Sequence, residues 1–150
     1  KEKDLPLIKK NQHVLRLIAG TSMGNSSAVP VYSDLFYFKG DSEENSVFEY
    51  QLNETQEAAV YVLDGDLEVE GQSYKRYDLV IFKQGSKVKF KNNTKTEYMF
   101  FGGSVFPEKR HVWWNFVSSD KDKIEIAKQN WKDGNFGTVI NESEYIPLPE

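Results

Sequence analysis

His13, in KKNQHVLR, and His111, in RHVWWNFV, are the only imidazoles in this 150-residue sequence, and there is no cysteine. A site for iron, nickel or zinc needs three or four nitrogen, oxygen or sulfur donors converging on one point. Here it would have to be assembled from those two rings and carboxylates such as Glu54 and Glu57. The histidines lie nearly a hundred residues apart, and neither has a carboxylate at ligand spacing. The missing cysteines exclude disulfides, thiolate zinc sites and a cysteine nucleophile together. No serine sits in a nucleophile elbow, and AGTSMGNSS (19–27) lacks the Gly-Lys-Ser/Thr ending of a phosphate-binding loop. His13 is therefore expected to be exposed at the edge of a first strand, and His111 to be partly buried and hydrogen-bonded.

The residues around His111 point to packing before catalysis. Adjacent residues of a strand face opposite sides, so one of Trp113 and Trp114 turns inward and the other needs a cover. Downstream, Ile124, Ala127 and Trp131 recur at helical spacing. A helix is predicted over Asp120–Lys132, with Ser119 as N-cap, Asp122 completing a capping box, and Gly134 as the stop. Trp131 or a neighbouring domain would then cover the outward tryptophan. His111, Trp113, Trp114, Phe116 and Trp131 are the candidate pocket or interface residues.

The elements that carry these groups are mostly strands. Alternating apolar residues and turn clusters predict strands over Val14–Ala19, Leu35–Lys39, Val47–Leu52, Ala58–Leu63, Leu67–Glu70, Leu79–Phe82, Val88–Lys91 and Glu97–Phe101. In VYVLDGDLEVEG, Asp64-Gly65 is predicted to make a tight hairpin. The reading is all-β, a barrel or sandwich with one late helix. Lys87, Lys89 and Lys91 alternate, as on a solvated edge strand. The aromatics Tyr32, Phe36, Tyr37, Phe38, Phe48 and Tyr50 read as barrel core before they read as a ligand pocket.

Composition narrows the function further. A net charge of −4 with no basic stripe argues against a nucleic-acid partner. No apolar run reaches the roughly 20 residues of a membrane span. A cysteine-free chain suits a reducing compartment, so the expected location is the cytoplasm. The first residue is Lys, not Met, and the chain reads as a piece of something longer.

VYVLDGDLEVEG resembles the end of the first conserved motif of cupins. RLIAG (16–20), with RHVWWNFVSSDKDKIEIAKQNWKDGNFG (110–137), resembles the C-terminal half of pirin-like proteins, which are built from two cupins. The resemblance runs from about Leu5 to Pro149 and is strongest over the last 40 or so residues. It implies an all-β cupin barrel, a jelly-roll-like double-stranded β-helix, over about 13–106, with a strand–helix tail over about 107–150. It also implies where a metal would be held. The carboxylate position falls on Ala58, and the two histidine positions of the first motif fall on Leu52 and Glu54, or on Gln51 and Asn53. The histidine of the second motif, YDLVIFKQGSKVKFKNN, falls on Val88. Glu57 is one residue from the carboxylate position, which in a strand is the opposite face.

These metal positions, Leu52, Glu54, Ala58 and Val88, read as degenerate. No catalytic residue, metal or cofactor is therefore expected in this chain. An iron-, nickel- or zinc-type metal, with quercetin 2,3-dioxygenase activity, is what the resemblance implies for an N-terminal cupin of the full-length protein. The expected partner is that N-terminal cupin or a second copy of this chain, most simply as a homodimer joined around Trp114, Phe116 and the Ile124 stripe. The alternative is a non-catalytic module that binds a small aromatic ligand or acts as an adaptor.

Overall fold

Inward apolar side chains at alternate positions are what the longer strands of this protein share. Its structure, a computed structural model, describes residues 4–149. The chain divides into two compact units, the first running to Val105 and the second from Phe106.

The first unit holds strands β1 (Leu7–Lys10), β2 (His13–Ser22), β3 (Asn25–Ser26), β4 (Leu35–Ser42), β5 (Ser46–Gln51), β6 (Gln56–Asp64), β7 (Asp66–Val69), β8 (Gln72–Lys75), β9 (Leu79–Phe82), β10 (Lys87–Asn92) and β11 (Thr96–Ser104). Seven make one sheet in the order β1-β2-β4-β11-β6-β9, with β3 on β2, and four make a second in the order β5-β10-β7-β8. Every pairing is antiparallel. The sheets bury their alternate residues against each other, which is the jelly-roll-like barrel that the pattern predicts. Leu15, Phe36, Phe38, Val60, Tyr98 and Phe100 come from the larger sheet, and Phe48, Leu67, Val88 and Phe90 from the smaller. All eight predicted strands are present. The additional β1, β3 and β8 are short and polar, and pairing with a neighbour, more than their own pattern, makes them strands.

Asp64-Gly65 is no hairpin, because β6 pairs with β11 and β9 whereas β7 pairs with β10 and β8. Gly65, at φ 83°, turns the chain from one sheet to the other, and a Cβ there would lie 2.4 Å from the Lys95 carbonyl oxygen. The tight hairpin comes six residues later, between β7 and β8, where Glu70 and Gly71 both have positive φ. The lysine strand is not an edge either, since β10 lies between β5 and β7. Its lysines face outward against acidic neighbours, Lys87 and Lys89 on Glu49 and Lys91 on Glu68.

The second unit holds the hairpin β12 (His111–Trp113) and β13 (Phe116–Ser118), then helix α1 (Lys121–Lys132). The N-cap is Asp120 and not Ser119: its side chain accepts the Asp122 backbone N–H. Gly134, at φ 71°, follows the C-cap Asp133 as the stop signal predicts. The tryptophan pair is not two consecutive strand residues. Trp114 leaves the strand and sits in the turn at φ 48°, so it does not alternate with Trp113.

Candidate functional site

Three of the positions that the cupin resemblance assigns to a metal are part of the hydrophobic core. Leu52, Ala58 and Val88 are buried and packed with Val60, Phe82 and Phe100 in one apolar cluster. Ala58 faces inward from β6, and Glu57 beside it faces outward and is exposed, as the one-residue offset requires. Glu54 is exposed in the β5–β6 connection. A leucine, an alanine and a valine offer no donor atom, and Gln51, Asn53 and Glu54 are exposed, so the residues at these positions do not fit the transition metal that cupin motifs hold. Among the described residues no three His, Cys, Asp or Glu side chains come together as a metal site.

His13 is not exposed. It is 1 % accessible and lies inside the barrel. Its Nδ1 is 3.0 Å from the Tyr98 hydroxyl, and the rings of Phe48, Phe90 and Tyr98 stand edge-on around it. Its Nε2 has no hydrogen-bond partner among the described residues. The sequence misled because His13 starts β2 in the inward phase of the alternation, one residue earlier than the predicted strand. Burial holds the imidazole below its ordinary range against the opposing pull of the Val47 backbone, and Lys10 adds a smaller push down. Burial pushes the Tyr98 phenol far up, with Asp41 adding to it. Both groups are therefore neutral at physiological pH.

A buried histidine with a lowered pKa binds fewer protons folded than unfolded, so it makes stability fall as pH drops. The loss begins as pH falls through about 6.5 and continues down to the folded-state pKa, at no more than about 1.4 kcal/mol per pH unit. Urea midpoints at about pH 7.5 and about pH 5 are expected to fall less for His13→Phe than for the parent chain. Equal slopes would show that His13 does not titrate on unfolding.

The candidate residues of the second unit are brought together, but as packing. Trp131 is the hub, with ring centroids 5.0 Å from Trp114, 6.4 Å from Phe116 and 5.7 Å from Phe136. Its indole N–H donates to the Ile146 carbonyl at 2.8 Å, tying the proline-rich tail to the helix. Trp113 lies parallel to Phe116 on the hairpin, and the Lys128 ammonium stands 4.3 Å from its ring centre. Ile124 is buried and Trp114 and Phe116 half-buried, so the patch expected from them is largely consumed within the unit. His111 is partly exposed at the start of the hairpin.

The aromatics of the barrel divide by strand phase. Phe36, Phe38 and Phe48 are core, Tyr50 packs at its margin, and Tyr32 is fully exposed. Tyr37 belongs instead to a surface that the alternation argument missed. On the outward face of the large sheet, Tyr37, Phe101, Ala59 and Ile81 lie in register across β4, β11, β6 and β9. Met99, Tyr61 and Leu79 form the next row. Ile81 is 71 % exposed and Leu79 48 %. An antiparallel sheet with one wet face is ordinarily polar there. The signal was legible in the runs AAVYVL, LVIF and YMFF, which are apolar in both phases. Among the described residues no strand lies beyond β9 in its sheet, and beside it opens a cleft of about 650 Å³ between β9, β10 and the β7–β8 hairpin.

Comparison with known proteins agrees with this architecture. The Pirin C-terminal cupin domain family matches residues 37–137. A pirin-like protein of Caulobacter vibrioides is 39% identical over 149 residues, covering 98% of this chain and 51% of that protein. A Pseudomonas aeruginosa protein provisionally named a quercetin 2,3-dioxygenase is 26% identical over 133 residues, covering 88% of this chain and 42% of that one. The crystal structure of a quercetin 2,3-dioxygenase from Acinetobacter baumannii superposes with a TM-score of 0.87 at 22% identity, over 98% of this chain and 50% of that one. The chain thus spans about half the length of the curated relatives it matches. No helix among the described residues is long and apolar enough to cross a membrane. With a cupin-type barrel, a matching hairpin–helix unit and this family match, the chain belongs to the pirin C-terminal cupin domains.

Proposed function

We propose that this chain is the metal-free half of a two-cupin pirin-like protein, and that it serves as a structural and interface domain in the cytoplasm. One observation carries the reading: Leu52, Ala58 and Val88, at positions that the cupin resemblance assigns to a metal, are buried in the barrel core. The name of the Pseudomonas relative points to flavonol oxygenation for that protein. Any such reaction in the longer protein belongs, on this reading, to a partner cupin that carries the metal.

The test is elemental analysis of the chain purified without chelators and dialysed. Less than about a tenth of an equivalent of iron, nickel, copper, manganese or zinc is expected. A stoichiometric metal would overturn the reading and make His13, His111, Glu54 and Glu57 the first residues to replace.

The interface role rests on the outward rows that run from Tyr37 and Met99 to Ile81 and Leu79. A contiguous apolar sheet face beside a strand with a free edge is a surface for covering. A second cupin or a second copy of this chain would cover it. Sedimentation velocity is expected to show concentration-dependent self-association of the isolated chain, which Ile81→Lys weakens. A parent chain that stays monomeric at high concentration would remove the self-association part of the proposal.

A further inference from the structure

The hairpin and the helix of the second unit border an open hollow of about 340 Å³ whose lining charge is mostly positive. Lys109, Arg110 and His111 line it from the strand side. From α1 come Lys121, Ile124, Glu125 and Lys128, whose spacings of three and four put them on one helical stripe. Four permanent cations therefore face one lining carboxylate. Glu125 is already engaged by Lys128 at 2.6 Å. Arg110 is held by Glu108 at 2.8 Å and lies over the Phe106 ring. Asp120 is committed to the helix cap.

Lys109 and Lys121 have no ion pair among the described residues. Counting Glu108, the hollow keeps two uncompensated positive charges in a chain whose net charge is −4. Like charges gathered around one hollow repel unless a countercharge enters. Lys109 and Lys121 are exposed at its rim. Here buried Ile124 and the Trp113 ring give the hollow a floor, and the Lys128 ammonium is fixed over that ring.

We infer that this hollow binds a small, multiply charged oxyanion, a phosphoryl group or a polycarboxylate, with Lys109, Arg110 and Lys121 as its principal donors. The guanidinium donors that Glu108 does not hold, together with the unpaired ammonium groups of Lys109 and Lys121, match the several acceptor oxygens of such an anion. The volume suits a compact molecule and not a polymer backbone. The assignment is independent of whether the barrel holds a metal.

The test is titration of the ¹⁵N-labelled chain with inorganic phosphate and, separately, with citrate, at constant ionic strength in chloride. Saturable shifts are expected at the amides of Lys109–Trp113 and Lys121–Lys128 and at the Trp113 indole. Which anion binds more tightly identifies the phosphoryl or the carboxylate source. Lys109→Gln combined with Lys121→Gln is expected to weaken binding by about tenfold or more, with the spectrum otherwise unchanged. Lys87→Gln with Lys89→Gln, on the barrel, leaves it intact. Shifts that chloride reproduces, that fail to saturate, or that the barrel variant abolishes equally would overturn the assignment.

Discussion

Gly40→Ala is expected to cost the barrel about 3 kcal/mol or more, although the backbone there suits any residue. Gly40 lies on the inward face of β4, directly opposite Tyr98 of β11. A Cβ at that position would fall 2.3 Å from Cζ and 2.4 Å from Cε2 of the Tyr98 ring. The ring has no free space to move into. It is fully buried, the Phe90 ring meets it edge-on at 5.2 Å, and its hydroxyl is bonded to His13. Displacing it would break that hydrogen bond and leave a second ring nitrogen of His13 without a partner. Urea unfolding measures the loss. Because the cause is one contact, a smaller ring-site residue should relieve it: Gly40→Ala in a Tyr98→Leu background costs far less than in the parent. Additive losses from the two substitutions would show that the clash with Tyr98 is not what excludes a side chain from position 40.

That contact shows what the sequence does and does not disclose. The strands that carry the core were legible because a period of two is written directly into residues such as Phe36, Phe38 and Val60, Val62. The apolar character of Leu52, Ala58 and Val88, three of the positions that the cupin resemblance assigns to a metal, was legible too, since it depends only on residue identity. Partnership between strands was not. Asp64-Gly65 has the composition of a hairpin, and only the pairing of β6 with β11 and β9 shows that the chain changes sheet there. The lysines of β10 have the composition of an edge, yet two neighbours flank the strand and answer the charges with Glu49 and Glu68.

His13 failed for a different reason. A polar residue at a predicted strand end defaults to solvent, and its enclosure comes from Phe48, Phe90 and Tyr98, 35 to 85 residues away in the chain. The outward apolar rows are the reverse case. Alternation was read for the face it buries, and the apolar residues in the other phase, Tyr61, Leu79, Ile81 and Phe101, were left without a role. Those rows now carry the interface proposal, whereas the tryptophans expected to carry it are occupied with one another.

Trp131→Ala is expected to dismantle the packing of the second unit, at a cost of about 3–5 kcal/mol. The unit is small, and its hairpin and helix share few buried side chains besides Ile124. Its cohesion comes from rings, and Trp131 touches four of them: Trp114, Phe116, Phe136 and Tyr145. Amide exchange over residues 106–149 is the measurement. In Trp131→Ala, protection is lost in α1 and in the β12–β13 hairpin together, because each uses the indole as its common surface. Trp131→Phe separates the two functions of the side chain. It retains a ring against Trp114 and Phe116 but cannot donate to the Ile146 carbonyl. The helix should then stay protected while the tail around Tyr145 and Ile146 exchanges freely. Unchanged protection of α1 in Trp131→Ala would mean that the helix stands on its own propensity, which its 12 residues make an unfavourable prospect in water. Retained ordering of the tail in Trp131→Phe would instead transfer its anchorage from the indole hydrogen bond to the stacking of Tyr145 on residue 131.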